Sequence, residues 1–129
     1  DWVGLRYMNV YGPRQDYTGA YIAVMHKILD RLDKGEKPMV YGDGAQQYDF
    51  IAVDDIARAN ILSMKSEASG ECYNVGRGIG TSIKDLTELL IDLSGKEAEI
   101  EYMPQGLTFV TNRIGCPEKA KKDIYRPQQ

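Results

Sequence analysis

Cysteine, histidine and tryptophan are scarce in this chain of 129 residues, which carries two, one and one of them, together with only two phenylalanines. The two cysteines, Cys72 and Cys116, stand far apart without a C-x-x-C partner, which argues against a disulfide framework or a zinc site and fits a reducing cytoplasm. Long apolar runs are missing as well. Those present, such as residues 21–25, stop far short of the roughly 20 needed to cross a bilayer, and no secretory leader opens the sequence. Charge of one sign is not in excess: 16 Lys and Arg face 19 Asp and Glu, the net charge is −3, and the lysines are mixed with acids rather than gathered into the basic stripe that nucleic acid requires. There is no repeat, low-complexity tract or linker. What remains is 43% hydrophobic and 27% charged, the content of one ordinary globular domain.

The pattern of apolar residues predicts alternating strands and helices. Residues 3–10 have the β-branched and apolar content of a strand, closed by Tyr11-Gly12-Pro13, where proline stops the ladder. After a loop, Ile22, Met25, Leu29 and Leu32 recur on one helical face, and Gly35 supplies a left-handed stop. Residues 38–41 form a short strand before the turn Gly42-Asp43-Gly44, and 48–53 a further extended segment. Asp54 is placed to cap a helix whose inner face carries Ala57, Ile61 and Met64. A buried strand is expected over 72–75. Ser82 and Asp85 resemble a capping box before a helix with Ile83, Leu86, Leu90 and Leu93 on one side and Gly95 at its end. Residues 99–103 alternate as a strand, and 117–124 form a short helix with Pro117 in its first turn. Strands alternating with helices imply an α/β fold with parallel pairing.

Few residues have the chemistry of a catalyst. His26 falls beside the core stripe of its predicted helix, a structural position; Cys72 adjoins Glu71, which gives no electropositive setting; Cys116 follows Arg113 and a glycine, and neither cysteine reads as a nucleophile. Gly76-Arg77-Gly78-Ile79-Gly80 follows a strand and opens a helix, as a dinucleotide fingerprint does, but Thr81 stands where that turn wants Gly or Ala. Asp85 also places negative charge at the helix N-terminus that a pyrophosphate needs. A plain tight connection is the better reading. The other polar residues at strand ends are Asn9, the pair Tyr48-Asp49 and Arg113; an arginine and an asparagine there can hold a diphosphate, or simply be a solvated charge and a turn terminator.

Taken in order, the segment Leu5-Arg6-Tyr7-Met8-Asn9-Val10-Tyr11-Gly12-Pro13-Arg14-Gln15 closely resembles the LRYxNVYGPRQ stretch of the extended short-chain dehydrogenase/reductase family, the nucleotide-sugar epimerases and dehydratases. Four later segments agree in order: Val40-Tyr41-Gly42-Asp43-Gly44, then Asp49-Phe50-Ile51-Ala52-Val53-Asp54-Asp55-Ile56-Ala57, then Tyr73-Asn74-Val75-Gly76, then Arg113-Ile114-Gly115. The resemblance implies a Rossmann-type α/β fold, of which this chain is the C-terminal part: the last sheet strands with the small domain that encloses a nucleotide-diphosphate sugar. The family's Gly-rich first turn and catalytic Tyr-x-x-x-Lys do not occur here, and the chain begins mid-run at Asp1-Trp2-Val3. The expectation is therefore a single partial domain, inactive alone, with NAD bound mainly by a preceding part and no metal.

By the same resemblance Asn9 would hydrogen-bond the substrate diphosphate, Met39, Val40 and Tyr41 would lie along the base, and Arg113 would neutralise phosphate charge. Tyr7 and Met8 would approach the nicotinamide end of NAD. Tyr48 stands where many relatives carry an arginine, and Cys116 replaces a frequent acid, so Arg113 would carry more of the charge or the substrate would differ. The implied chemistry of the whole enzyme is transient oxidation and re-reduction of a sugar carbon, C4 by analogy with UDP-glucose 4-epimerase. A dehydratase, and a non-catalytic binding or assembly module, are the alternatives. A homo-oligomer in the cytoplasm is expected.

Overall fold

The structure is a computed structural model and describes residues 1–16, 18, 23–106, 111–125 and 127. In chain order the elements are β1 (Val3–Tyr7), β2 (Asn9–Tyr11), α1 (Val24–Asp33), β3 (Met39–Tyr41), β4 (Gln47–Tyr48), β5 (Phe50–Ala52) and α2 (Val53–Lys65). They continue as β6 (Glu71–Val75), β7 (Thr81–Ser82), α3 (Ile83–Ser94), β8 (Glu101–Met103), β9 (Asn112–Arg113) and α4 (Glu118–Asp123). The expected α/β alternation is present, and β1–β6, β2–β5 and β3–β8 all pair in parallel. The chain divides into two compact units, one of residues 1–15, 48–80 and 113–129, the other of 16–47 and 81–112.

The first unit is built around β1, β6, β2 and β5, covered by α2 and α4. Its core is Ile51, Ile56, Ala59, Tyr73, Val75, Ala120 and Tyr125, with Val3, Leu5, Met8 and Val10 packed against it. α4 is fixed to β6 by Lys119, whose ammonium meets the Glu71 carboxylate, donates to the Cys72 carbonyl at 3.2 Å and lies 4.8 Å from the centre of the Tyr73 ring. The Tyr73 hydroxyl in turn donates to Asp123 at 3.3 Å. A cation over an aromatic face and a charge-assisted bond supply the anchoring that so short a helix cannot provide by itself.

α2 corrects one expectation. The helix starts at Val53 with Ala52 as its N-terminal flank, so Asp54 lies in the first turn instead of capping it. Its buried face is Asp55, Ile56, Ala59 and Ser63, whereas Ala57, Ile61 and Met64 face outward, Met64 with 86% of its surface exposed. The inward stripe is hard to read because two of its members are polar. Asp55 is satisfied by Arg58 one turn on, and the Ser63 hydroxyl donates to the Ala59 carbonyl at 2.7 Å, which is how polar groups become tolerable in a core.

The second unit packs α1 against α3, with β3 and β8 paired beside them. Its buried side chains include Ile28, Leu32, Val40, Ile83, Leu86 and Thr87, together with Pro38 and the polar Gln46. In α1 the fully buried positions are Ile28 and Leu32; Met25 and Leu29 are half-buried, and Ile22 lies outside the described residues. Gly35 and Gly95 adopt φ of 73° and 66°, the left-handed conformation that ends a helix without a Cβ clash. Ser82 caps α3 as expected, its hydroxyl accepting the Asp85 N–H at 3.0 Å. Along the expected α3 stripe, Ile83 and Leu86 are buried, Leu90 is half-buried and Leu93 is exposed. Because that cap satisfies one of the helix's otherwise unpaired amides, Ser82→Ala is expected to cost about 1 kcal/mol in urea denaturation, and Ser82→Asp to restore most of it. Equal stability of all three proteins would show that the cap contributes nothing.

Candidate functional site

The predicted strand over 3–10 is in fact two strands, because the ladder changes partner. β1 runs beside β6 as far as Tyr7↔Val75, the Met8 N–H still donates to the Val75 carbonyl at 3.0 Å, and from Asn9 the chain pairs with β5 instead. The change of partner falls at the carboxyl end of β1, the end of a strand at which α/β sheets bind ligands. It places Asn9 at the start of β2, with its backbone N–H donating to the Asp49 carbonyl at 2.9 Å and its side-chain Nδ2 donating to the same oxygen at 3.2 Å. One side-chain N–H and the Oδ1 of Asn9 are not used by that bond.

Asp49 itself is fully buried. Its carboxylate accepts the backbone N–H of Arg77 at 2.9 Å on one oxygen and that of Gly78 at 2.8 Å on the other. Two successive amides converging on an anion are the arrangement that glycine-rich loops offer to phosphates. Here the protein's own carboxylate fills it. This is the physical reason that Gly76-Arg77-Gly78 is a tight connection and not a dinucleotide turn. Gly76 must lack a side chain, since a Cβ there would run into the Asp49 carboxylate and the Met8 Cγ.

Arg113 reaches the same place through its backbone: its carbonyl accepts the Asp49 N–H at 3.0 Å. Its guanidinium is exposed and has no partner among the described residues. Met8 is half-buried, its side chain lying where a Cβ on Gly76 or Gly115 would be, 2.8 Å from the latter position. Tyr7 is partly exposed and its hydroxyl donates to Asn60 Oδ1 at 2.9 Å, while Tyr48 is half-buried with its ring centre 6.2 Å from that of Phe50. Below the site, burial and then the Asp55 carboxylate push the Tyr125 phenol up to about 12, so it stays protonated through any physiological range.

Of the residues expected at a site, the structure thus brings Met8, Asn9, Tyr48 and Arg113 together around Asp49 in the first unit. Met39, Val40 and Tyr41 form β3 in the second unit. Val40 is completely buried, leaving the half-buried Met39 and the 51%-exposed Tyr41 as the side chains of that strand with free surface. The residue that sequence reasoning under-weighted is Asp49. Its signal was a lone acid directly before the apolar run Phe50-Ile51-Ala52, a position where a charge survives only if it is paired.

Among the described residues no helix is long and apolar enough to cross a membrane, and no group of three or more His, Cys, Asp or Glu is placed to hold a metal ion. Residues 1–76 match the NAD dependent epimerase/dehydratase family, and the chain belongs to that family. A putative UDP-glucose 4-epimerase of Methanocaldococcus jannaschii is 37% identical over 98 residues, covering 76% of this chain and 31% of that protein. The structure of UDP-glucose 4-epimerase from Thermotoga maritima with UDP-glucose superposes with a TM-score of 0.90 at 37% identity, over 98% of this chain and 40% of that one. The UDP-glucose 4-epimerase of Thermus thermophilus in complex with NAD gives 0.81 at 31% identity, over 98% and 42%. The fold is accordingly the Rossmann-type fold of these enzymes, and the chain spans well under half the length of the relatives it matches.

Proposed function

We propose that this chain is the nucleotide-sugar-recognition portion of an NAD-dependent epimerase that acts at the C4 position of the sugar. The observation that carries the reading is the meeting of Asn9 and Arg113 at the main chain of one buried residue, Asp49, in a chain that superposes closely on an epimerase solved with UDP-glucose. The free amide N–H of Asn9 and the guanidinium of Arg113 are the donors for a diphosphate, since charge-assisted bonds from arginine suit phosphate oxygens. Tyr48 brings a phenol where charge would otherwise help, so Arg113 bears the electrostatic part of the contact. Met39 and Tyr41 would flank the base with their side chains, and Val40 with backbone only.

NAD does not fit the one glycine-rich turn described here. The amides of Arg77 and Gly78 that would cradle a pyrophosphate are already taken by Asp49, and the buried carboxylate would repel it. In this reading the dinucleotide is held by the part of the enzyme that lies outside this chain, and Tyr7 and Met8 approach it from the end of β1. The residues of this chain bind and orient; they move no proton. The corresponding experiment is a calorimetric titration of the 129-residue chain with NAD. No binding heat and no epimerase turnover are expected; tight NAD binding would overturn the assignment and return the glycine turn to candidacy as a cofactor site.

A further inference from the structure

Every hydrogen-bonding group of Asp49 is spent on a different segment of the first unit. Its two carboxylate oxygens hold the loop after β6 at Arg77 and Gly78, its N–H holds Arg113, and its carbonyl holds both the backbone and the side-chain amide of Asn9. Asn9 and Arg113 are the proposed diphosphate donors, and position 49 is the link between them. Resting on that reading, we propose that Asp49 is a positioning residue: by filling the glycine loop with its own carboxylate it fixes the backbone from which Asn9 and Arg113 present their donors to a nucleoside diphosphate. The carboxylate anchors position 49, the two main-chain bonds of position 49 set the spacing between Asn9 and Arg113, and the Asn9 amide is turned so that one N–H is tied and the other is left for ligand.

An alternative role for a buried acid is to stabilise the unit and nothing more, and the two roles differ in what a ligand feels. If Asp49 sets the donor geometry, its loss and the loss of Arg113 damage the same interaction and do not act independently. By reciprocity, a bound diphosphate must then tighten the loop that Asp49 holds. A purely structural anchor would do neither.

The test uses the full-length enzyme and UDP as the probe, with affinity measured by calorimetry for wild type, Asp49→Asn, Arg113→Ala and the double variant, all under conditions where a thermal melt shows them folded. Asparagine keeps the shape but can accept only one of the two N–H groups. Each single change is expected to weaken UDP at least tenfold, and the double variant to be little weaker than the worse single one. Asp49→Asn binding UDP within twofold of wild type, or a double variant weakened by the full product of the two, would overturn the proposal while leaving the recognition reading intact. If Arg113→Ala and Asn9→Ala both bind UDP as wild type does, the recognition reading falls and this one with it. Should Asp49→Asn not fold, hydrogen exchange on the wild-type enzyme decides: saturating UDP is expected to slow exchange of the Arg77 and Gly78 amides at least tenfold. No change in those amides while the Asn9 amide becomes protected would refute positioning by Asp49.

Discussion

If Arg113 holds phosphate as proposed, replacing it by alanine in the full-length enzyme is expected to weaken UDP-sugar binding by about 1.5–3 kcal/mol, a loss of roughly ten- to a hundredfold, because the proposed charge-assisted contact would be lost. Arg77→Ala serves as its control. That side chain also lacks a partner among the described residues and sits in the neighbouring loop, but the part of Arg77 that matters is its backbone N–H, which alanine keeps. Its change should stay within about 0.5 kcal/mol, the range of an ordinary surface substitution. The two arginines therefore separate a specific phosphate contact from a general electrostatic effect. Equal losses from both, read by calorimetry, would mean that Arg113 acts only as one positive charge among several.

The second large effect concerns stability and not binding. Gly76→Ala would place a methyl group against the Asp49 carboxylate and the Met8 side chain at once, with no room on either side. Overpacking a dense interior costs about 1–3 kcal/mol, and pushing the carboxylate off its two amides adds a comparable loss. A destabilisation of about 3 kcal/mol or more is expected from the urea midpoint. Gly106→Ala is the reference, since nothing lies within 4 Å of a Cβ there. If the two alanines unfold at the same urea concentration, the close approach at Gly76 is not the constraint described.

How much of this was legible in the sequence depended on how many segments each feature involves. α3 could be read almost whole, because Ser82, Asp85, Ile83, Leu86 and Gly95 are local signals that act within one helix. α2 was misread on its face, since counting apolar residues favours Ala57, Ile61 and Met64 over a stripe that buries Asp55 and Ser63. That error comes from treating polarity as exposure when a neighbouring turn can satisfy the polar group. The break at Met8 was invisible for another reason: residues 3–10 read as one strand by their apolar content, and only the partners, β6 and then β5, differ. At the site, Asn9 and Arg113 were accessible through motifs that resemble those of a known family, whereas the role of Asp49 needs Asn9, Arg77, Gly78 and Arg113 brought together in space. The glycine loop and the buried acid were each conspicuous in the sequence; that one fills the other is a tertiary fact.

The central claim is that this chain serves a nucleotide-sugar 4-epimerase, and the product of the full-length enzyme tests it most directly. UDP-glucose incubated with that enzyme, followed by proton NMR of the sugar resonances, is predicted to relax to a mixture with its C4 epimer UDP-galactose, with no net oxidation and no loss of water. A 4-keto-6-deoxy sugar nucleotide as the product would contradict the epimerase reading and show that this recognition site serves a dehydratase.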